Sequence, residues 1–292
     1  MDFVGWLRVY NQGVTQKVRF CGVDLPGSVR TPLPALEATA QHAAALGLPD
    51  AAGVVGDILH HYQEVPFAPD GFHFALLPLE PQRQFLLSLQ SLEGRLDAVA
   101  ARTYAARCLA NARAAIEAGI NVVVAGNTND VDPEVRDGHM AANVQWLLDI
   151  TPGARIVVLA ANGHVQRSPM FVPGSDQPLR RGMGQFLSPA LGPDLVTIGS
   201  TFGHLPSGGM PTVGLLPGMF EPAAAPGSLD AAMSATGLSA FLLDLRDSSG
   251  DARRWLEGRH TIRVVHMYAQ THPIPAFDAL YHVDRLTSST WS

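Results

Sequence analysis

Four stretches share one pattern, and it narrows the possible folds more than any other feature of the chain. Each is an apolar, β-branched run of strand length followed by a turn that carries a polar side chain. They are VRFCGVDLPG (18–27), INVVVAGNTND (120–130), ARIVVLAANGH (154–164) and DLVTIGSTFGH (194–204). Uninterrupted apolarity over four to six residues suits a strand covered on both faces, and helical patterns lie beside each run. The expected architecture is therefore α/β, a largely parallel sheet flanked by helices. SAFLLDL (239–245), TIRVVHMYA (261–269) and FDALYHV (277–283) extend the strand pattern towards the carboxyl end.

The clearest helix is DPEVRDGHMAANVQWLLD (132–149). Asp132 suits the N-cap, Pro133 the first helical position, and Glu134 the positive end of the helix dipole. Val135, Met140, Val144, Leu147 and Leu148 form its apolar stripe, and Arg136, His139, Met140 and Asn143 fall close together by three-four spacing. Residues 32–119 read as an alanine-rich helical insertion or lid, broken by Pro66, Pro69, Pro78 and Pro81. The α/β body is then 1–31 together with 120–292. The loop-rich stretches 171–184 and 206–228 could border a pocket.

Ligands of parallel sheets bind at the carboxyl ends of the strands, where loops converge and helix amino termini point inward. That rule gathers Asp24 after the first run, Asn127 and Asn129 after the second, Asn162 and His164 after the third, and His204 after the fourth. Arg136 and His139 come within reach from the helix at 132–149. One carboxylate, several amides and imidazoles can relay protons and hold a carbonyl or carboxylate. Each has a plainer alternative as well. Asp24 suits an Asx-type turn before Leu25-Pro26-Gly27, Asn127 and Asn129 suit turns and caps, and His164 and His204 could be turn histidines bonded to backbone. His60-His61 lies in a helical stretch where adjacent side chains diverge, which reads as a solvated face, and His42, His73 and His282 have no motif around them.

A net charge of −6, pI about 6.0 and no basic block argue against a nucleic-acid partner. No run of about 18 uncharged apolar residues or signal-like amino terminus is present, so the expectation is a cytoplasmic protein without a membrane partner. Cys21 and Cys108 are the only cysteines and read as unpaired, in keeping with a reducing compartment. Lys17 is the single lysine among many arginines and alanines, a bias of GC-rich coding that leans the reading towards natural-product chemistry. The sequence has no Gly-x-Ser-x-Gly elbow, Walker loop, Gly-x-Gly-x-x-Gly, His-Glu-x-x-His or Cys-x-x-Cys, so neither cofactor nor metal is expected. Histidine-centred chemistry remains.

RDGHMAANVQWLLDITPGARIVVLAANGHV (136–165) resembles the erythromycin esterase family, with its Arg, its Met-Ala-x-Asn-x-x-Trp-Leu helix and its strand ending in His-Asn-x-His-Val. FVGWLRVYN (3–11), VRFCGVD (18–24), MGQFLSPALGPDLVTIGSTFG (183–203) and FDALYHVDR (277–285) resemble its flanking segments. The resemblance implies an α/β body with a helical lid over a deep cleft. It also implies metal-independent hydrolysis of an ester or lactone of a hydrophobic natural product, with histidine as general base. Carried over by position, His164, Arg136 and Asp24 become the catalytic residues, with Asn162, Asn127, His204 and His139 on the substrate side.

Two departures stand out. Ala161 replaces the motif's first histidine, and the family's Gly-Glu-x-x-His-Gly segment has no counterpart in this sequence. Erosion of that kind leaves open a noncatalytic small-molecule binding protein, a repurposed cyclase or lyase, or one half of a split esterase. An uncovered sheet edge would call for a homodimer or a complementary chain.

Overall fold

The structure is a computed structural model that describes residues 3–24, 33–45, 53, 55–57, 60, 79–100, 103, 106–111, 113, 133–179, 181–204, 223–264 and 267–286. Its elements run α1 (Phe3–Gln12), α2 (Leu33–Ala45), α3 (Leu79–Ala100), α4 (Pro133–Ile150), the single turn α5 (Asn162–Val165), α6 (Met183–Leu191) and β1 (Ile198–His204). There follow α7 (Leu229–Ser234), β2 (Ala240–Asp244), α8 (Gly250–Glu257), β3 (His260–Val264), β4 (Met267–Thr271), α9 (Pro273–Ala276) and β5 (Ala279–Arg285).

The α/β class holds, but the expected largely parallel sheet does not. β5 lies between β1, to which it is parallel, and β2, to which it is antiparallel. β3 and β4 form a separate antiparallel pair. The stretch read as one strand, 261–269, is thus divided between two strands that run back on each other. The direction of β2 is a tertiary outcome: its apolar pattern is the same whichever way it pairs.

The run at 154–160 is a second correction. Among the described residues it pairs with no strand, and its side chains alternate between half-buried and exposed. Ile156 and Val158 pack into the core, whereas Val157 is 84% and Leu159 83% exposed. Residues 18–24 likewise carry no strand, and the run at 120–130 with Asn127 and Asn129 lies outside the described residues. The described residues of 32–119 are almost entirely helical, in α2, α3 and the turns around 55–57 and 106–111.

Two apolar clusters hold the body together. On one face of the sheet the register aligns Gly199, Leu280 and Leu243 in one row and Thr201, His282 and Phe241 in the next. Leu280 there joins Leu229 and Met233 of α7, Leu256 of α8, Ile262 of β3 and Phe277. The opposite face presents Ile198, Tyr281 and Leu242 outward. The second cluster packs Met140, Ala141 and Val144 of α4 against Met183 and Leu187 of α6, with Ile156, Val158 and Val165 around them. Burying side chains of this size is worth roughly 1.5–3 kcal/mol each. It fixes α4 and α6 beside the turn that carries His164.

Candidate active site

Asn162 sets the geometry of that turn. Its side-chain amide donates to the Ser200 carbonyl at 2.6 Å, and its Oδ1 accepts the Ser200 N–H at 2.8 Å. The amide thus offers β1 the same donor and acceptor that a neighbouring strand would offer, from a buried position. The backbone closes directly afterwards into α5, in which the N–H groups of His164 and Val165 donate to the Ala161 carbonyl at 2.9 and 3.3 Å. His164 sits on this one-turn helix.

The His164 side chain is 16% exposed, and its Nδ1 lies 2.7 Å from Oδ1 of Asp137 on α4. The carboxylate accepts at that oxygen, so the neutral ring carries its proton on Nδ1 and leaves the Nε2 lone pair free. No described residue hydrogen-bonds to Nε2. Asp137 is fully buried, and its Oδ1 also accepts the backbone N–H of Met183 at 2.9 Å. Its Oδ2 has no hydrogen-bond partner among the described residues.

Arg136 precedes Asp137 on α4 and grips Asp24 with both arms, Nε to Oδ1 at 2.8 Å and Nη2 to Oδ2 at 2.5 Å. That bidentate pair raises the guanidinium above its ordinary value against the opposing effect of burial. Asn143 secures the same segment by donating to the Val23 carbonyl at 2.8 Å. α4 therefore joins three of the sequence-derived residues into one region: Asp24 through Arg136, and His164 through Asp137.

The remaining expected residues lie elsewhere. His139 points away from Asp137 by about 200° around the helix, towards the helical turn at 106–111. There Arg107 donates to its carbonyl at 3.4 Å. Burial, with Arg107 and Arg113 nearby, lowers the His139 imidazole to about 4. His204 ends β1 with Nδ1 3.6 Å from Asp284 Oδ1, an ion-pair approach longer than a hydrogen bond. His282 is buried beneath Phe241, with Nδ1 2.9 Å from the Thr201 hydroxyl. Among the described residues no three His, Cys, Asp or Glu side chains converge as a metal centre would need.

Sequence reasoning overlooked Asp137. An aspartate after an arginine in an amphipathic helix reads as surface charge, and its partner lies 27 residues further on. The signal was in Gly182 and Gly184. Small residues flanking the start of a helix mark a close approach, and here a Cβ on Gly182 would stand 2.3 Å from the Gly163 carbonyl oxygen.

Residues 1–286 match the erythromycin esterase family. The chain belongs to the erythromycin esterase family. Erythromycin esterase type II of Escherichia coli is 27% identical over 215 residues, which cover 67% of this chain and 50% of that protein. The chain thus spans about half the length of this curated relative. Among solved structures, a succinoglycan biosynthesis protein superposes with a TM-score of 0.71 at 17% identity, covering 97% of this chain and 69% of that one. A Bacillus cereus protein gives 0.67 at 19%, covering 97% and 70%. A mutant erythromycin esterase in its open conformation gives 0.67 at 19%, covering 97% and 72%. These structural likenesses establish the fold. In this erythromycin esterase-family chain, the matched span 1–286 includes both α4 and the turn that carries His164.

Proposed function

We propose that the chain hydrolyses an ester or lactone of a hydrophobic natural product, with His164 as general base and no metal. The observation that carries this reading is the 2.7 Å contact between His164 Nδ1 and Asp137, which leaves Nε2 as a partly solvated base in an esterase-family fold. In the proposed reaction Nε2 takes a proton from water as the water oxygen attacks the carbonyl carbon. The imidazolium then returns that proton to the departing alkoxide as the acyl–oxygen bond breaks, giving acid and alcohol. General base catalysis of this kind contributes about 10²–10⁴-fold. Arg136, oriented by its pair with Asp24, contributes its remaining N–H donors to the oxyanion. His204 and Asn127 are retained as proposed substrate-binding residues, while Asn162 holds the turn and His139 faces the neighbouring helical segment.

Ala161 can neither accept nor donate a proton, so erythromycin itself should be opened at a rate near background. The test is mass spectrometry of the products from a panel of lactones and aliphatic esters, with and without a chelator. Hydrolysis that persists in chelator supports the reading. Chelator-sensitive turnover, or no hydrolysis across the panel, counts against it.

We also infer that a second copy of the chain covers the apolar edge at Val157 and Leu159. Leu159→Asp should convert a sedimenting dimer to monomer, and a wild-type chain that sediments as monomer would remove the idea. No described helix is long and apolar enough to cross a membrane. Cys21 and Cys108 form no disulfide, and the cytoplasm is the compartment we propose for the chain.

A further inference from the structure

We propose that Asp137 is a positioning residue for His164: charged, and aligned by the amino terminus of α6, it fixes the imidazole tautomer and stabilises the imidazolium formed during turnover. The inference rests on the functional reading above and adds a residue and a physical role to it.

A simpler alternative is that Asp137 only caps α6 from outside the helix. Its Oδ1 does accept the Met183 N–H at 2.9 Å. A neutral oxygen would cap as well, since Ser, Thr and Asn serve that purpose throughout proteins. A carboxylate with no exposure and one oxygen unpartnered is a costly choice for such a task. The negative charge gains a purpose once a positive charge forms beside it. The group in contact is the His164 ring, 2.7 Å away at the same oxygen.

Both donors converge on Oδ1, and the packing enforces this. α6 starts against the backbone of α5, where a Cβ on Gly184 would stand 2.0 Å from the Val165 carbonyl oxygen, as Gly182 does against Gly163. Glycine at both positions lets the N-terminal turn of α6 come close enough for Met183 N–H and the His164 ring to share one acceptor. The partial positive charge of that helix end favours the ionised carboxylate. The other charged side chains nearby are already matched, Arg136 with Asp24 and Glu134 with Arg181. Asp137 is left facing His164.

Two measurements test the proposal. The first is the tautomer of His164 in the full chain, read from long-range ¹⁵N–¹H correlations above the pH of ring protonation and assigned by comparison with His164→Gln. The expected signature is protonated Nδ1 and bare Nε2, and a ring protonated on Nε2 overturns the proposal. The second is Asp137→Asn, which keeps an oxygen for Met183 but removes the charge. It should lower kcat by about 100-fold with little change in KM, and shift the ascending limb of the pH profile to lower pH because the imidazolium loses its counter-charge. A capping role would leave that profile in place, so wild-type kcat and pH profile in a folded Asp137→Asn protein overturn the proposal. If Asp137→Asn fails to fold, the wild-type tautomer decides. Full activity in His164→Gln would instead defeat the functional reading itself, which keeps the two failures distinct.

Discussion

His164 and His139 are served by opposite sides of one helix, and their surroundings have opposite sign. His164 faces the buried carboxylate of Asp137, whereas His139 lies among Arg107 and Arg113 with its protonation suppressed to about 4. Both imidazoles are partly buried and both fall within the same family motif. Burial, reinforced by the two guanidinium groups, keeps the His139 ring neutral over the whole physiological range, whereas the His164 ring has a carboxylate in direct contact.

The strongest way to break this comparison is to remove each ring in turn. His164→Ala should reduce turnover by about 10²–10⁴-fold and lower the thermal midpoint by several degrees, because it also removes a partner of the buried Asp137 carboxylate. His139→Ala should leave turnover close to wild type. Equal losses in steady-state assays of the two variants would end the distinction.

A smaller effect is expected at Asn162. Asn162→Ala leaves the Ser200 N–H and carbonyl without their partner, a loss of about 1–3 kcal/mol. At about 2–4 °C per kcal/mol, the midpoint should fall by roughly 2–12 °C. Activity should fall as well, since α5 begins at this residue. Calorimetry showing an unchanged midpoint would mean that the amide does not support β1.

The last effect concerns acid stability and sharpens the view of His139. Its folded-state value of about 4 lies below the unfolded value of about 6.5, so the unfolded chain binds the extra proton first. Stability attributable to this residue should be intact above pH about 6.5 and drain away as pH falls towards 4. His139→Gln should flatten that part of the curve. Urea titrations at pH 7, 5.5 and 4.5 would show it, and an equally steep decline in the variant would place the acid sensitivity elsewhere.

Helix α4 was legible from its sequence because its evidence is local: the dipole-matched start and the Met140, Val144, Leu148 spacing lie within a few turns. The position of His164 was legible for the same reason, since an apolar run ending in Asn162-Gly163 signals a turn. Other features depend on partners distant in the chain. Asp137 owes its burial to α6, and Asn162 finds its acceptor 38 residues away. The direction of β2 follows from which edge of β5 is vacant, and no property of its own five residues encodes that. The run at 156–160 is apolar throughout, yet only Ile156 and Val158 pack inward while Val157 and Leu159 face outward, a difference that apolarity alone does not encode.

The amide of Asn162 has a consequence for how the molecule breathes. Ser200 is flanked by β5 on one side and by a side chain on the other, so its N–H depends on a single rotamer rather than on a ladder of neighbours. Deuterium should enter at Ser200 whenever that rotamer swings away, independently of global unfolding. Exchange at one amide of β1 then becomes a clock for the opening of the turn that carries the His164 imidazole.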